Sequence, residues 1–99
     1  MSDTIAKLDG PKVRFARSAT RHRISKDGIR HVIAHFRIRF EEPPQEGLGK
    51  RSIRIVYLGE DEDGQELEVM AVELEGGGLY VIHAMPLRKK YRTRCEEGR

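Results

Sequence analysis

The sequence predicts an α+β fold: two N-terminal helices packed on a three- to four-stranded antiparallel sheet, followed by a short C-terminal helix. Three observations lead there. Ile29, Val32, Ile33 and Phe36 recur at three- and four-residue spacing, the period of one apolar helix face. Three runs rich in β-branched and aromatic residues follow Ser52, separated by glycine-bearing turns. Pro86 then precedes a short basic segment. With 99 residues the chain suits one domain with one modest core. It divides into a loose arm over residues 1–10, a single domain over 11–95 and a tail over 96–99.

The elements follow in chain order. "MSDTIAKLDG" is polar with weak periodicity and ends at Gly10-Pro11, the composition of an arm. "KVRFAR" alternates cationic and apolar residues, which fits a short strand or the lead-in to a helix. "SATRHR" is read as a first short helix, broken by "RIS". Ser25 suits the N-cap of the second, "KDGIRHVIAHF", whose Gly28 costs roughly 1 kcal/mol but falls in the first turn. "EEPPQEGLGK" has the prolines and glycines of a loop. Strands are expected at Ser52–Leu58, Leu67–Leu74 and Leu79–Ala84, with Asp63-Gly64 and Gly76-Gly77-Gly78 supplying positive-φ turn positions. Pro86 suits the first turn of a helix ending near Arg94, because its missing N–H would be unpaired there anyway.

Strand parity leaves one question open. Leu79, Val81, His83 and Met85 alternate with Tyr80, Ile82 and Ala84, and neither set is plainly polar. The sequence does not say which face His83 shares.

Composition bounds the compartment and the partners. Cys95 is the only cysteine, so no intrachain disulfide forms, and a reducing, cytoplasmic setting is expected. No stretch approaches the ~20 apolar residues of a membrane helix, and the start lacks a secretory core. The net charge of +3 hides a strong segregation. Residues 1–40 hold ten Lys/Arg against three Asp/Glu, residues 41–78 three against eleven, and residues 79–99 six against two. Two basic segments that met in the fold would make a face suited to phosphates. The bland alternative is that these charges only solubilise a small domain.

"RHRISKDGIRHVI" and "LEVMAVELEGGGLYVIHAMPLRKKYR" together resemble the small toxins of bacterial type II toxin–antitoxin systems, the BrnT-like and related RelE/ParE-superfamily groups. The resemblance spans about Arg17 to Arg92. It implies the RelE-like arrangement of the helices and sheet above, a metal-free endoribonuclease that arrests growth, and a neighbouring ribbon-helix-helix-like antitoxin that neutralises it. The ribosome is a further candidate partner. ParE-like members inhibit DNA gyrase instead, so the resemblance leaves the target open. It touches His83, Ala84, Arg88, Lys90, Tyr91 and the Arg21 and Arg23 of "RHR"; together with the neighbouring cations and proton carriers this makes His83, Arg88 and Tyr91 the catalytic candidates and Arg21, His22, Arg23, Lys89, Lys90 and Arg92 the expected RNA contacts. Ser18 stands where related toxins often carry a histidine, which moves the acid–base assignment toward His83 and the "RHR" element.

These residue types fit the chemistry. Metal-independent RNA cleavage needs a base for the 2′-hydroxyl, an acid for the 5′-oxygen and cations for the phosphorane. Histidine titrates near neutrality, with a reference pKa of about 6.5, and arginine offers a planar fork matched to phosphate. Each candidate has a plainer role: His83 as a hydrogen-bonded structural histidine, Arg88 to Arg92 as complement to a helix C-terminus, Tyr91 as core cover. A non-catalytic nucleic-acid- or protein-binding module would use the same cations without chemistry. No cofactor is expected. His31 and His35 have zinc-binding spacing but no residue to complete a tetrahedral set, and "GEDEDG" lacks the ligand pattern of a calcium loop. No metal site is expected.

Overall fold

The computed structural model describes residues 12–42, 53–74 and 76–97. The elements are β1 (Val13–Phe15), a 3-10 turn (Arg17–Thr20), α1 (Lys26–Ala34), β2 (Ile38–Glu42), β3 (Arg54–Glu60), β4 (Glu66–Glu73), β5 (Leu79–Pro86) and α2 (Lys89–Glu97). The strands form one mixed sheet in the order β1-β5-β4-β3-β2, with β1 parallel to β5 and every other pair antiparallel.

This overturns the expected arrangement of two N-terminal helices on a three- to four-stranded antiparallel sheet. The segment read as a first helix is only the 3-10 turn at Arg17–Thr20. It has no apolar stripe to bury, and Arg23 adopts a left-handed φ of 62°, which a right-handed helix cannot continue through. Two additional strands enlarge the sheet. "VRF" forms β1 because Val13 and Phe15 share a face and pack on the core, while Arg14 between them is exposed. β2 appears because Ile38 and Phe40 alternate with the exposed Arg39 and Glu41, a period of two that follows directly on the helical period of α1. Pro86 closes β5, opposite Leu67, and the C-terminal helix begins three residues later at Lys89. The expected arm over residues 1–10, most of the loop after Phe40, and residues 98–99 of the tail lie outside the described residues.

Two apolar layers flank the sheet. On the first face Ile29, Val32 and Ile33 of α1, with Ala19 and Ile24, pack on Ile55, Tyr57, Leu67, Val69, Ala71, Leu79, Val81 and Ala84. On the second face Val56, Leu58 and Met70 pack with Tyr91 of α2, joined by Ile38, Phe40, Ile82 and Leu87. Coverage on both sides is why residues 55–59 and 67–71 are buried without a break. At α1 the Ser25 hydroxyl accepts the Gly28 N–H at 2.9 Å, satisfying one of the donors a helix start leaves unpaired. The turn between β3 and β4 is closed by the Asp61 carboxylate, which accepts from the N–H of Asp63 and of Gln65, both at 2.9 Å.

The passage from α1 to β2 runs close over β3 at Gly59. A Cβ there would lie 3.2 Å from the Phe36 Cα and 3.4 Å from the Arg37 nitrogen, both backbone atoms that cannot rotate aside. Gly59→Ala should therefore cost about 1–3 kcal/mol, and Ser25→Ala about 1 kcal/mol from loss of the cap. Urea midpoints for the two variants and the parent check both values; an unchanged midpoint for Gly59→Ala would contradict the close packing.

Candidate active site

The site begins with a slip in strand register. Ala71 pairs with Val81 and Met70 with His83, so Ile82 is an extra residue in β5 with no partner across β4. Such a bulge exchanges the faces of all residues beyond it. Leu79 and Val81 point to the α1 face, and beyond the bulge Ala84 does so instead. His83 and Met85 turn to the second face, opposite Met70 and Glu68. The Ile82 carbonyl at the bulge accepts the Ser18 hydroxyl at 2.6 Å, which holds the 3-10 turn against this point.

Glu68 is the centre of the cluster. It projects from β4 onto the second face and is 1% exposed. Its Oε1 accepts the backbone N–H of Arg88 at 2.9 Å. Its Oε2 accepts Nε and Nη2 of Arg88, at 2.9 and 2.6 Å, and Nε2 of His83 at 3.1 Å. Burial by itself would raise this carboxyl, but the hydrogen bonds from His83 and Arg88 and the arginine's charge outweigh it and hold the group at about 2. The same pairing pushes the Arg88 guanidinium further up. Glu68 is thus a carboxylate at neutral pH and can only accept. His83 must donate through Nε2, which leaves Nδ1 as the nitrogen bearing the lone pair when the ring is neutral.

His22 approaches the same point from the segment after the 3-10 turn. Its ring centroid lies 6.2 Å from that of His83, with the planes at 70°. Arg21, His22 and Arg23 are all exposed there. Glu68 of the central strand thus joins His83 and Arg88, and His22 stands beside the His83 ring.

The other anticipated residues are placed differently. Tyr91 is 4% exposed, its ring lies 5.7 Å from Phe40, and its hydroxyl donates to Glu42 Oε2 at 3.2 Å. Burial, and then the Glu42 charge, raise that hydroxyl above its ordinary value, so it stays protonated. Arg92 donates to Glu66 at 3.0 Å, and Lys90 places its ammonium 4.8 Å from the centre of the Tyr91 ring. Lys89 is exposed. Arg88, Tyr91 and Arg92 thus bind three sheet carboxylates, Glu68, Glu42 and Glu66, and fasten the C-terminal segment to the second face.

Glu68 was the residue missed in the sequence. Its only signal was a lone acid inside the apolar run "LEVMAV". Away from this cluster, His31 and His35 have ring centroids 4.6 Å apart, and His31 Nδ1 lies 3.1 Å from the Glu60 carbonyl. Among the described residues, the only group of three possible metal ligands is Asp61, Glu62 and Asp63. No helix of the described residues is long and apolar enough to cross a membrane. No family model, no curated protein and no solved structure matches the chain.

Glu68 makes stability depend on pH in a defined direction. Its folded-state value of about 2 lies below the ordinary 4.5, so its contribution is complete above about 4.5 and is lost as pH falls toward 2. The loss should be roughly 3–4 kcal/mol. Glu68→Gln should be less stable than the parent at pH 7, and the gap should close between about pH 4.5 and 2. A gap in urea midpoint that stays constant over this range would contradict the assignment.

Proposed function

We propose that the chain is a metal-independent endoribonuclease of the toxin type, acting through the His22–His83 pair. One observation carries this reading: a buried carboxylate orients His83 through Nε2 while a second imidazole faces it 6.2 Å away. Two neighbouring imidazoles, one of them oriented, supply the base and the acid that such cleavage uses. His83 Nδ1 takes the proton of the 2′-hydroxyl, and the resulting oxygen attacks phosphorus. As the bond from phosphorus to the 5′-oxygen breaks, protonated His22 delivers a proton to the leaving oxygen. The products are a 2′,3′-cyclic phosphate and a 5′-hydroxyl. Arg88, whose Nη1 makes no hydrogen bond to a described residue, offers a donor to the phosphorane oxygens. Glu68 is a positioning residue.

The resemblance to type II toxins supports the biological half of the proposal, growth arrest relieved by a tightly bound antitoxin. A second reading, a binding module without chemistry, is favoured by the depth of Glu68: a buried ion pair can exist purely to hold Arg88 and the C-terminal segment on the sheet. The two readings differ in the RNA products.

Truncating Arg88 is a poor test, because it strands a buried carboxylate at a cost of about 3–5 kcal/mol. His83→Gln and His22→Gln are better choices. On induced expression the parent should arrest bacterial growth and leave RNA fragments ending in 2′,3′-cyclic phosphate. Purified His83→Gln should cleave at least ~100-fold more slowly with an unchanged circular dichroism spectrum. Intact RNA with a folded parent would reject the enzyme reading in favour of the binding module.

A further inference from the structure

The basic residues fall into two populations. In the C-terminal segment Arg88 and Arg92 are tied to Glu68 and Glu66, while Lys89 and Lys90 are exposed and in no ion pair among the described residues. Between Lys12 and Arg30 there are seven Lys/Arg and one acid, Asp27. That acid lies 3.8 Å from Arg30 with both side chains well exposed, a pairing worth little in water. Among the described residues no ion pair engages Arg17, Arg21, Arg23 or Lys26.

Two of these cations are held in place. Lys26 and Arg30 are one turn apart on α1, and both stand over the Phe15 ring, with Nζ at 5.4 Å and Cζ at 5.2 Å from its centroid. Phe15 pairs with Val81 on the α1 face; His83 is two residues further on, ~7 Å along the strand, and the bulge between them turns it to the second face. The 3-10 turn carrying Arg17 lies between, bonded to Ile82 through Ser18. An aromatic seat with two fixed cations on the α1 face, an arginine-bearing turn at the bulge and the imidazole of His83 on the second face thus succeed one another around the β1 side of the sheet.

We infer that a single-stranded RNA runs along this edge, with its scissile phosphate at His22 and His83 and its flanking phosphates on Arg17, Lys26 and Arg30. The inference rests on the proposed reading of the His22–His83 site. It moves the phosphate grip from the C-terminal segment to α1 and the turn before it. Cations that are unpaired, or paired only weakly at the surface as Arg30 is, keep most of their attraction for phosphate and displace the counterions of the strand, whereas the charge of an arginine bound to a buried carboxylate is largely neutralised and only its remaining N–H groups can donate.

The test uses the full chain and a fluorescein-labelled single-stranded RNA with 2′-O-methyl groups, which removes the nucleophile and isolates binding from cleavage. Anisotropy titrations are run between roughly 50 and 200 mM salt. Lys26→Gln and Arg30→Gln should each weaken binding about 3- to 10-fold and lower the slope of log affinity against log salt by ~0.7. Arg39→Gln, which removes an equal charge from β2 at the opposite edge of the sheet, should change affinity less than about twofold. Parent-like binding by both α1 variants, or equal losses in all three, would overturn the track and leave the basic edge to an acidic protein partner. Selective loss in the α1 variants together with no cleavage of unmodified RNA would retain the track and sink the enzyme reading.

Discussion

A buried carboxylate in a small sheet protein must be fully hydrogen-bonded, and Glu68 imposes that requirement on much of this molecule. An ionised group out of water costs several kcal/mol unless partners replace the solvent. Here the partners come from two separate places: His83 beyond the β5 bulge, and the backbone and side chain of Arg88 after the strand ends. Satisfying Glu68 therefore fixes the end of β5 and the path of the chain leaving it. One of the four hydrogen bonds that stabilise the ion also fixes Nε2 as the donor nitrogen of His83.

The bulge at Ile82 makes this possible at small expense. With regular pairing His83 would follow Leu79 and Val81 onto the apolar face beneath α1, where no carboxylate stands opposite. One additional residue moves it to the face of Glu68, and Ser18 supplies a partner for the bulged carbonyl. Ser18 is the position at which the resemblance to toxins left a histidine missing. In this chain its hydroxyl docks the 3-10 turn, and His22 a few residues later approaches His83. A structural anchor and an imidazole beside His83 are thus separate residues on one short segment.

Charge follows the same division. The second face of the sheet carries Glu42, Glu66 and Glu68, and the C-terminal segment meets them with Tyr91, Arg92 and Arg88. The acidic middle of the sequence and its basic end are complementary halves of one internal interface. In the basic beginning Arg37 also meets this acidic middle, at Glu60 and Glu66, whereas no ion pair engages Arg17, Arg21, Arg23 or Lys26 among the described residues. Segregation of charge along the chain thus reflects two different uses of positive charge.

Local rules made part of this legible. Spacing from Ile29 to Ile33 and the Ser25 cap specified α1, and the β-branched runs after Ser52 specified β3, β4 and β5, because both patterns depend only on neighbours a few residues away. Asp63-Gly64 and the three glycines from Gly76 identified the hairpins, since positive φ is cheap only at glycine. His83 and Arg88 also stood out, as a histidine and an arginine beside an apolar strand. What the tertiary structure alone decided is non-local. The parallel pairing of β1 with β5 depends on a partner more than sixty residues away. The face of His83 depends on a one-residue slip against β4. Glu68 is buried only because the C-terminal segment returns to cover the second face. Parity and burial are properties of register and packing between distant segments, and no stretch of sequence contains them by itself.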